Sequence, residues 1–239
     1  MCTACAGQRH RLTHVDVEGD WLTYNGPIDA KAIRRVKDLY KRHDEIQGLA
    51  IESEGGDVNL ALDLAEWVRD NGLAVRVEDL CFSACANYVF PAGRSRILGP
   101  VATLGWHGAS PQVLPSDEFC RRGMPDMNPE SLLFAMCMDT VDEWRQRELE
   151  FFASVGVDPA LTSAGLAAAD EEYITDVVEG WTYTLDGLAS FGLEDIEIIG
   201  GVWTPQLIRD GYLLCTWDIG QQHCHVPDTP GLPLSLIHI

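Results

Sequence analysis

A serine and a histidine stand 24 residues apart in the stretch Leu80–Gly108, Ser83 within Cys81-Phe82-Ser83-Ala84-Cys85 and His107 within Gly105-Trp106-His107-Gly108. A serine hydroxyl is a weak nucleophile until a base takes its proton, and acyl chemistry also needs backbone N–H groups directed at the oxyanion. Ser83 and Ala84 open an apolar helical stretch, where free N–H groups and the helix dipole favour developing negative charge. Serine is equally an ordinary N-cap residue, so Ser83 by itself also fits a purely structural role. His107 adds weight. Of seven histidines it alone lies between His43 and the C-terminal segment, at a strand end beside two glycines that permit close backbone approach.

The elements that must position this pair read as strand, turn and helix in succession. Leu12 to Val17 and Trp21 to Tyr24, joined by Gly19-Asp20, predict a β-hairpin. Asp29 is placed as the N-cap of a helix reaching Arg42, with Ile33, Val36, Leu39 and Tyr40 at helical spacing. Leu49-Ala50-Ile51 is a short, wholly apolar strand of the kind found in sheets covered on both faces. It runs through Ser53-Glu54-Gly55-Gly56-Asp57 into a helix with Val58, Ala61, Leu62, Ala65 and Val68 on one face, ending near Asn71-Gly72. Leu73 to Val77 is the next strand, and it delivers the chain to Ser83. Recurrence at about 25 to 30 residues implies parallel strands joined by right-handed crossovers.

Downstream, the helix after Ser83 continues through Tyr88-Val89-Phe90, and Arg96 to Leu98 and Ala102 to Leu104 are short strands. Pro111 to Pro129 reads as a surface loop, Pro129 to Phe152 as a long helix, and Asp158 to Ala169 as a second one. Leu185 to Phe191 is a short helix capped by Gly192, and Ile196 to Ile199 a closing strand. Tyr212 to Trp217 and Gln222 to Val226 predict a terminal hairpin.

The composition, 46% apolar over 239 residues, is ample for a buried core. A formal charge of −20, from 37 acidic and 17 basic side chains, repels phosphate backbones and anionic membranes, so nucleic acid is excluded as a partner class; it also simply favours solubility. No apolar run approaches the roughly 20 residues of a membrane-spanning helix.

The ordered elements Ser53-Glu54-Gly55-Gly56, Ser83-Ala84, Ala92-Gly93-Arg94 and Trp106-His107 resemble the Clp-protease and crotonase superfamily, specifically its serine-peptidase branch. The form Cys81-x-Ser83-Ala84-Cys85 is similar to that of a subgroup of Clp-protease-like periplasmic proteins. The resemblance covers residues 12 to 200 and implies an α/β fold of stacked ββα units. It implies Ser83 as nucleophile, His107 as base, and the N–H groups of Gly56 and Ala84 as the oxyanion hole. Counting back from Phe191-Gly192-Leu193, similar to the family's Tyr-Gly-Leu element, the acid of the triad falls on Gly180 or, one residue earlier, Glu179. Glu179 is the expected acid, with Asp176 behind it. Related signal-peptide peptidases use a lysine base. Lys31, Lys37 and Lys41 all precede Ser83 on one helix, which disfavours that variant.

The resulting expectation is an acyl-enzyme peptidase acting on peptide or protein, with no cofactor and no metal, and with a homo-oligomeric assembly by family analogy. A crotonase-type acyl-CoA enzyme and a non-catalytic binding or assembly module share the fold. The acidic chain offers few cations for CoA phosphates. Residues 1–11 are expected to be a disordered segment, 12–200 the catalytic domain, 201–228 a hairpin extension appended to it, and 229–239 a non-native tail. Cys2-Thr3-Ala4-Cys5 is similar to a lipoprotein cleavage box. Cys5 would carry a lipid anchor if the gene model starts late, which with the paired cysteines suggests the periplasm or envelope; a genuine N-terminus suggests the cytoplasm. Cys81 and Cys85 are open to three readings: packed apolar side chains, a disulfide, or redox-reactive thiols. For Cys215 and Cys224 a hairpin disulfide is expected over a zinc site, because His223 and His225 share the opposite strand face.

Overall fold

The computed structural model describes residues 12–108, 115–168, 178–209 and 212–227. The expectations for Cys5, Asp176 and the tail 229–239 lie outside them. In chain order the elements are β1 (His14–Glu18), β2 (Trp21–Asn25), α1 (Ala30–Tyr40), β3 (Gly48–Glu52), α2 (Val58–Asp70), β4 (Ala74–Val77), β5 (Leu80–Phe82), a π-helical turn (Cys85–Val89), β6 (Arg96–Leu98) and β7 (Thr103–Gly105). There follow α3 (Ser116–Gly123), α4 (Leu132–Val155), two 3-10 turns (Pro159–Thr162 and Ala164–Ala168), β8 (Gly180–Tyr183), α5 (Leu185–Ser190), β9 (Ile196–Ile198), β10 (Ile208–Arg209), β11 (Tyr212–Asp218) and β12 (His223–His225). The chain divides into two compact units. One runs to Leu104 and takes back Asp195–Pro205; the other is Gly105–Glu194 and the stretch from Gln206.

The first unit is α/β, built on a sheet in the order β1-β2-β3-β4-β6-β9. Only the β1–β2 hairpin is antiparallel; the remaining pairs are parallel. The succession β1-β2-α1, β3-α2, β4-β5-turn alternates strands with helical segments, the α/β character that the resemblance implied, although the middle repeat has one strand and not two. Asp29 caps α1, its Oδ1 accepting from the N–H groups of Lys31 and Ala32 at 2.8 and 2.9 Å, and Asp57 caps α2 by accepting from Leu60 N–H at 3.0 Å. The apolar sides of α1 and α2 bury Val36, Leu62 and Val68 completely, and Leu22, Leu49 and Val75 stand in register across β2, β3 and β4. Each such side chain contributes about 1.5–3 kcal/mol.

The opposite sheet face differs from the expectation of a strand covered on both sides. Asp16, Thr23, Ala50, Arg76, Ile97 and Glu197 align in one row across all six strands, and every one of them is half-buried or exposed. Apart from Ile97, small and polar residues here leave the apolar layer to one face, so Ala50 looks apolar in sequence without being core.

The second unit packs around aromatic side chains. Trp106, Trp181, Tyr183, Phe151 and Phe152 are almost wholly buried, and Tyr183 lies edge-on to both Trp106 and Phe191 at centroid distances of 4.9 and 5.1 Å. Two predicted elements change here. The stretch read as a loop from Pro111 to Pro129 contains α3, with Pro115 before its first residue, Asp117 and Glu118 in its first turn and Arg121 and Arg122 in its last. This order complements the helix dipole and overrides the prolines around it. The helix read from Asp158 to Ala169 is instead a pair of 3-10 turns, broken at Ser163. Gly165 there lies so close to the Trp181 ring that a Cβ would overlap it. The long helix starts and ends three residues later than read, at Leu132 and Val155, capped by Ser131 and by left-handed Gly156. The C-terminal hairpin, expected as an appendage, joins this unit through parallel pairing of β11 with β8.

Candidate active site

Ser83 follows the last residue of β5 and precedes the π-helical turn. Its φ is +58°, one of three positive values among the described non-glycine residues. For serine this left-handed conformation costs about 1–3 kcal/mol, and it persists only where the surroundings over-determine it. With this φ Ser83 lacks the extended backbone of an ordinary N-cap residue, and Ala84 after it is already right-handed helical.

The surroundings that hold the elbow are specific. Leu80 C=O accepts from Ser53 N–H at 2.8 Å and Phe82 N–H donates to Ser53 C=O at 2.9 Å, which ties β5 to the end of β3. Beyond the elbow, Asn87 N–H donates to Ser83 C=O at 2.8 Å, and Phe90 N–H to Cys85 C=O at 3.0 Å. The second of these bonds spans the wider π spacing. A disulfide joins Cys81 to Cys85 across Ser83, which settles the three readings of these cysteines in favour of the bond.

Gly55 is pressed against the same elbow. A Cβ on it would fall 2.8 Å from Phe82 O, 2.9 Å from Ser83 Cβ and 3.0 Å from Ala84 N, and its φ is +93°. Ser53 shapes this turn, its Oγ accepting from Gly55 N–H at 3.1 Å. Gly56 is confined in turn by Ile28, whose carbonyl oxygen would lie 2.5 Å from an added Cβ. The resemblance draws only Gly56 into the site; the Gly-Gly pair is the signal in the sequence for Gly55. Gly55→Ala is expected to lower reactivity at Ser83 at least about tenfold and to destabilise the fold by about 2–3 kcal/mol, because the opposing atoms are mainly backbone. Labelling kinetics and a denaturant midpoint would check both numbers.

His107 and Glu179 belong to the second unit. Trp106 and Trp181 form an antiparallel bridge, each N–H donating to the other's carbonyl at 2.8 Å, so His107 extends directly from a buried aromatic pair. Gly108 has φ +81°, and a Cβ there would overlap the Leu166 side chain. As a residue His107 is exposed, yet protein packed beside its ring disfavours the charged form. This desolvation lowers the imidazole pKa, partly countered by its own backbone and by the negative charge of Glu179. Glu179 is exposed, and its N–H donates to Leu213 C=O at 2.8 Å.

Gly180 is no alternative position for an acid. A Cβ there would overlap the Trp106 carbonyl oxygen and lie 3.4 Å from His107 Cα. The structure thus groups Ser83, Ala84, Gly55 and Gly56 in one unit, and His107 with Glu179 in the other.

Elsewhere, Cys215 and Cys224 are joined as a disulfide, so neither thiolate is available to zinc, and Cys120 of α3 is joined to Cys137 of α4. Among the described residues, no group of three or more metal-ligating side chains comes together.

No family model matches the chain. No curated protein matches it either. Among solved structures, a mutant ClpP1 from Listeria monocytogenes aligns over 76% of this chain and 91% of its own, with 13% identity and a TM-score of 0.48. The ClpP protease catalytic domain from Plasmodium falciparum aligns over 34% of this chain and 51% of its own, with 16% identity and a TM-score of 0.30.

Proposed function

We propose that this protein is a serine hydrolase of Clp-protease-like, peptidase type, acylated at Ser83. The observation that carries the reading is the left-handed Ser83 at a strand-to-helix elbow, held against Gly55. Such a turn lifts a nucleophile clear of its neighbours while keeping it at the start of a helical segment, whose first N–H groups have no helical acceptors. In the proposed step, Ser83 Oγ attacks the substrate carbonyl carbon and its proton passes to His107. The N–H groups of Ala84 and Gly56 receive the oxyanion, and His107 returns the proton to the departing amine. Water then hydrolyses the ester by the same route. Glu179 holds and polarises the imidazole, in line with the effect of its charge on His107. Three disulfides favour an oxidising compartment such as the periplasm or envelope.

The test is covalent labelling of the purified, oxidised protein with a fluorophosphonate probe. One adduct on Ser83 is expected, absent in Ser83→Ala. A folded wild-type protein that takes no label would sink the hydrolase reading.

A further inference from the structure

Ser83 is the central residue of a five-residue ring closed by the Cys81–Cys85 disulfide, whose Cα atoms lie 5.3 Å apart. Cys81 belongs to β5 and Cys85 begins the π turn, so the bond fastens the incoming strand to the outgoing helical segment. Both cysteines are fully buried. The residue between them holds the left-handed conformation that serine rarely adopts. Among the backbone bonds described at the elbow, Ser53 holds β5, while the Asn87 and Phe90 amides donate back to the carbonyls of Ser83 and Cys85. Of the contacts described, the disulfide is the covalent one that spans Ser83 and limits how far the two sides can separate.

Resting on the reading of Ser83 as a nucleophile, we propose that the Cys81–Cys85 disulfide is a positioning clamp for Ser83, and that its reduction switches the nucleophile off. Two electrons from a dithiol break the Sγ–Sγ bond, each sulfur takes a proton to become a thiol, and the dithiol is left as a disulfide. Without the cross-link, Ser83 relaxes toward a right-handed or extended backbone and its hydroxyl leaves the oxyanion donors. The cysteines still pack as small apolar side chains, so the fold survives the loss better than the reactivity does.

The experiment compares wild type, Cys81→Ala/Cys85→Ala, and Cys120→Ala/Cys137→Ala, which lacks a disulfide joining α3 to α4. Fluorophosphonate labelling rates and the Ser83 Cα and Cβ chemical shifts, which report its backbone conformation, are measured on each. The first variant is expected to label at least about tenfold more slowly, with Ser83 shifts leaving the left-handed range, while the second stays within about twofold of wild type. Unchanged labelling and unchanged shifts in Cys81→Ala/Cys85→Ala overturn the clamp. If wild type takes no label, the hydrolase reading falls alone, and the shifts still decide: moved, they support the clamp; unmoved, they overturn it. Should the variant not fold, wild type treated with a dithiol and then reoxidised gives the same comparison, with the Cys81–Cys85 bond followed by alkylation and mass spectrometry. Ser83 shifts that move with that bond and return on reoxidation support the clamp, and shifts indifferent to it overturn it.

Discussion

Replacing His107 with alanine should slow acylation of Ser83 by about 10³-fold or more, the usual scale for removing the base from such a pair. The labelling rate of wild type should rise with pH as the imidazole loses its proton. Because packed protein beside the ring favours the neutral form, the midpoint should lie below the ordinary histidine value near 6.5. The carboxylate of Glu179 pulls in the opposite direction, holding that midpoint up. Glu179→Gln should therefore move it further down, since the ring loses that negative charge, and on the proposed mechanism it should also slow the reaction. His107→Ala should leave a residual rate with no inflection in this pH range. An alanine variant labelling within about threefold of wild type would remove His107 from the chemistry.

The second large effect is one of stability. Gly180→Asp places a carboxylate where counting from Phe191-Gly192-Leu193 first put the acid. The new Cβ would overlap the Trp106 carbonyl, and the Trp106–Trp181 bridge, with both N–H groups bonded at 2.8 Å, would have to open. Overpacking costs about 1–3 kcal/mol and each buried bond broken a similar amount, so a loss of about 3–5 kcal/mol and a Tm lower by about 10 °C are expected. Labelling should fall in step with the folded fraction. Thermal unfolding that matches wild type would show that the backbone can give way at Gly180.

The readability of these features follows the range of the interactions behind them. Asp29 and Asp57 could be assigned from sequence because a cap bonds to amides two or three residues away. Ser83 could be singled out, but its positive φ depends on Gly55 and on the bond between Cys81 and Cys85, neither of which local periodicity reveals. Ala50 read as core because strand apolarity says nothing about which sheet face is covered. The pairing of β11 with β8 joins segments some thirty residues apart, with Leu214 opposite Gly180, and the terminal hairpin pattern carries no trace of it. Glu179 is reached by counting alone, and what the structure adds is that its neighbour Gly180 has no room for a side chain.

The sheet of the first unit closes late in the chain's own history. β6 ends at Leu98, and its outer neighbour β9 begins at Ile196, after the chain has passed through the whole intervening unit. At about 5–20 residues per second on the ribosome, the hydrogen-bonding edge of β6 waits roughly 5–20 s for its partner to be synthesised. During that interval it is an open edge of the kind to which stray strands add. Efficient production of this protein therefore depends on how that edge is sheltered during synthesis, and a chain stopped short of Ile196 would keep it open permanently.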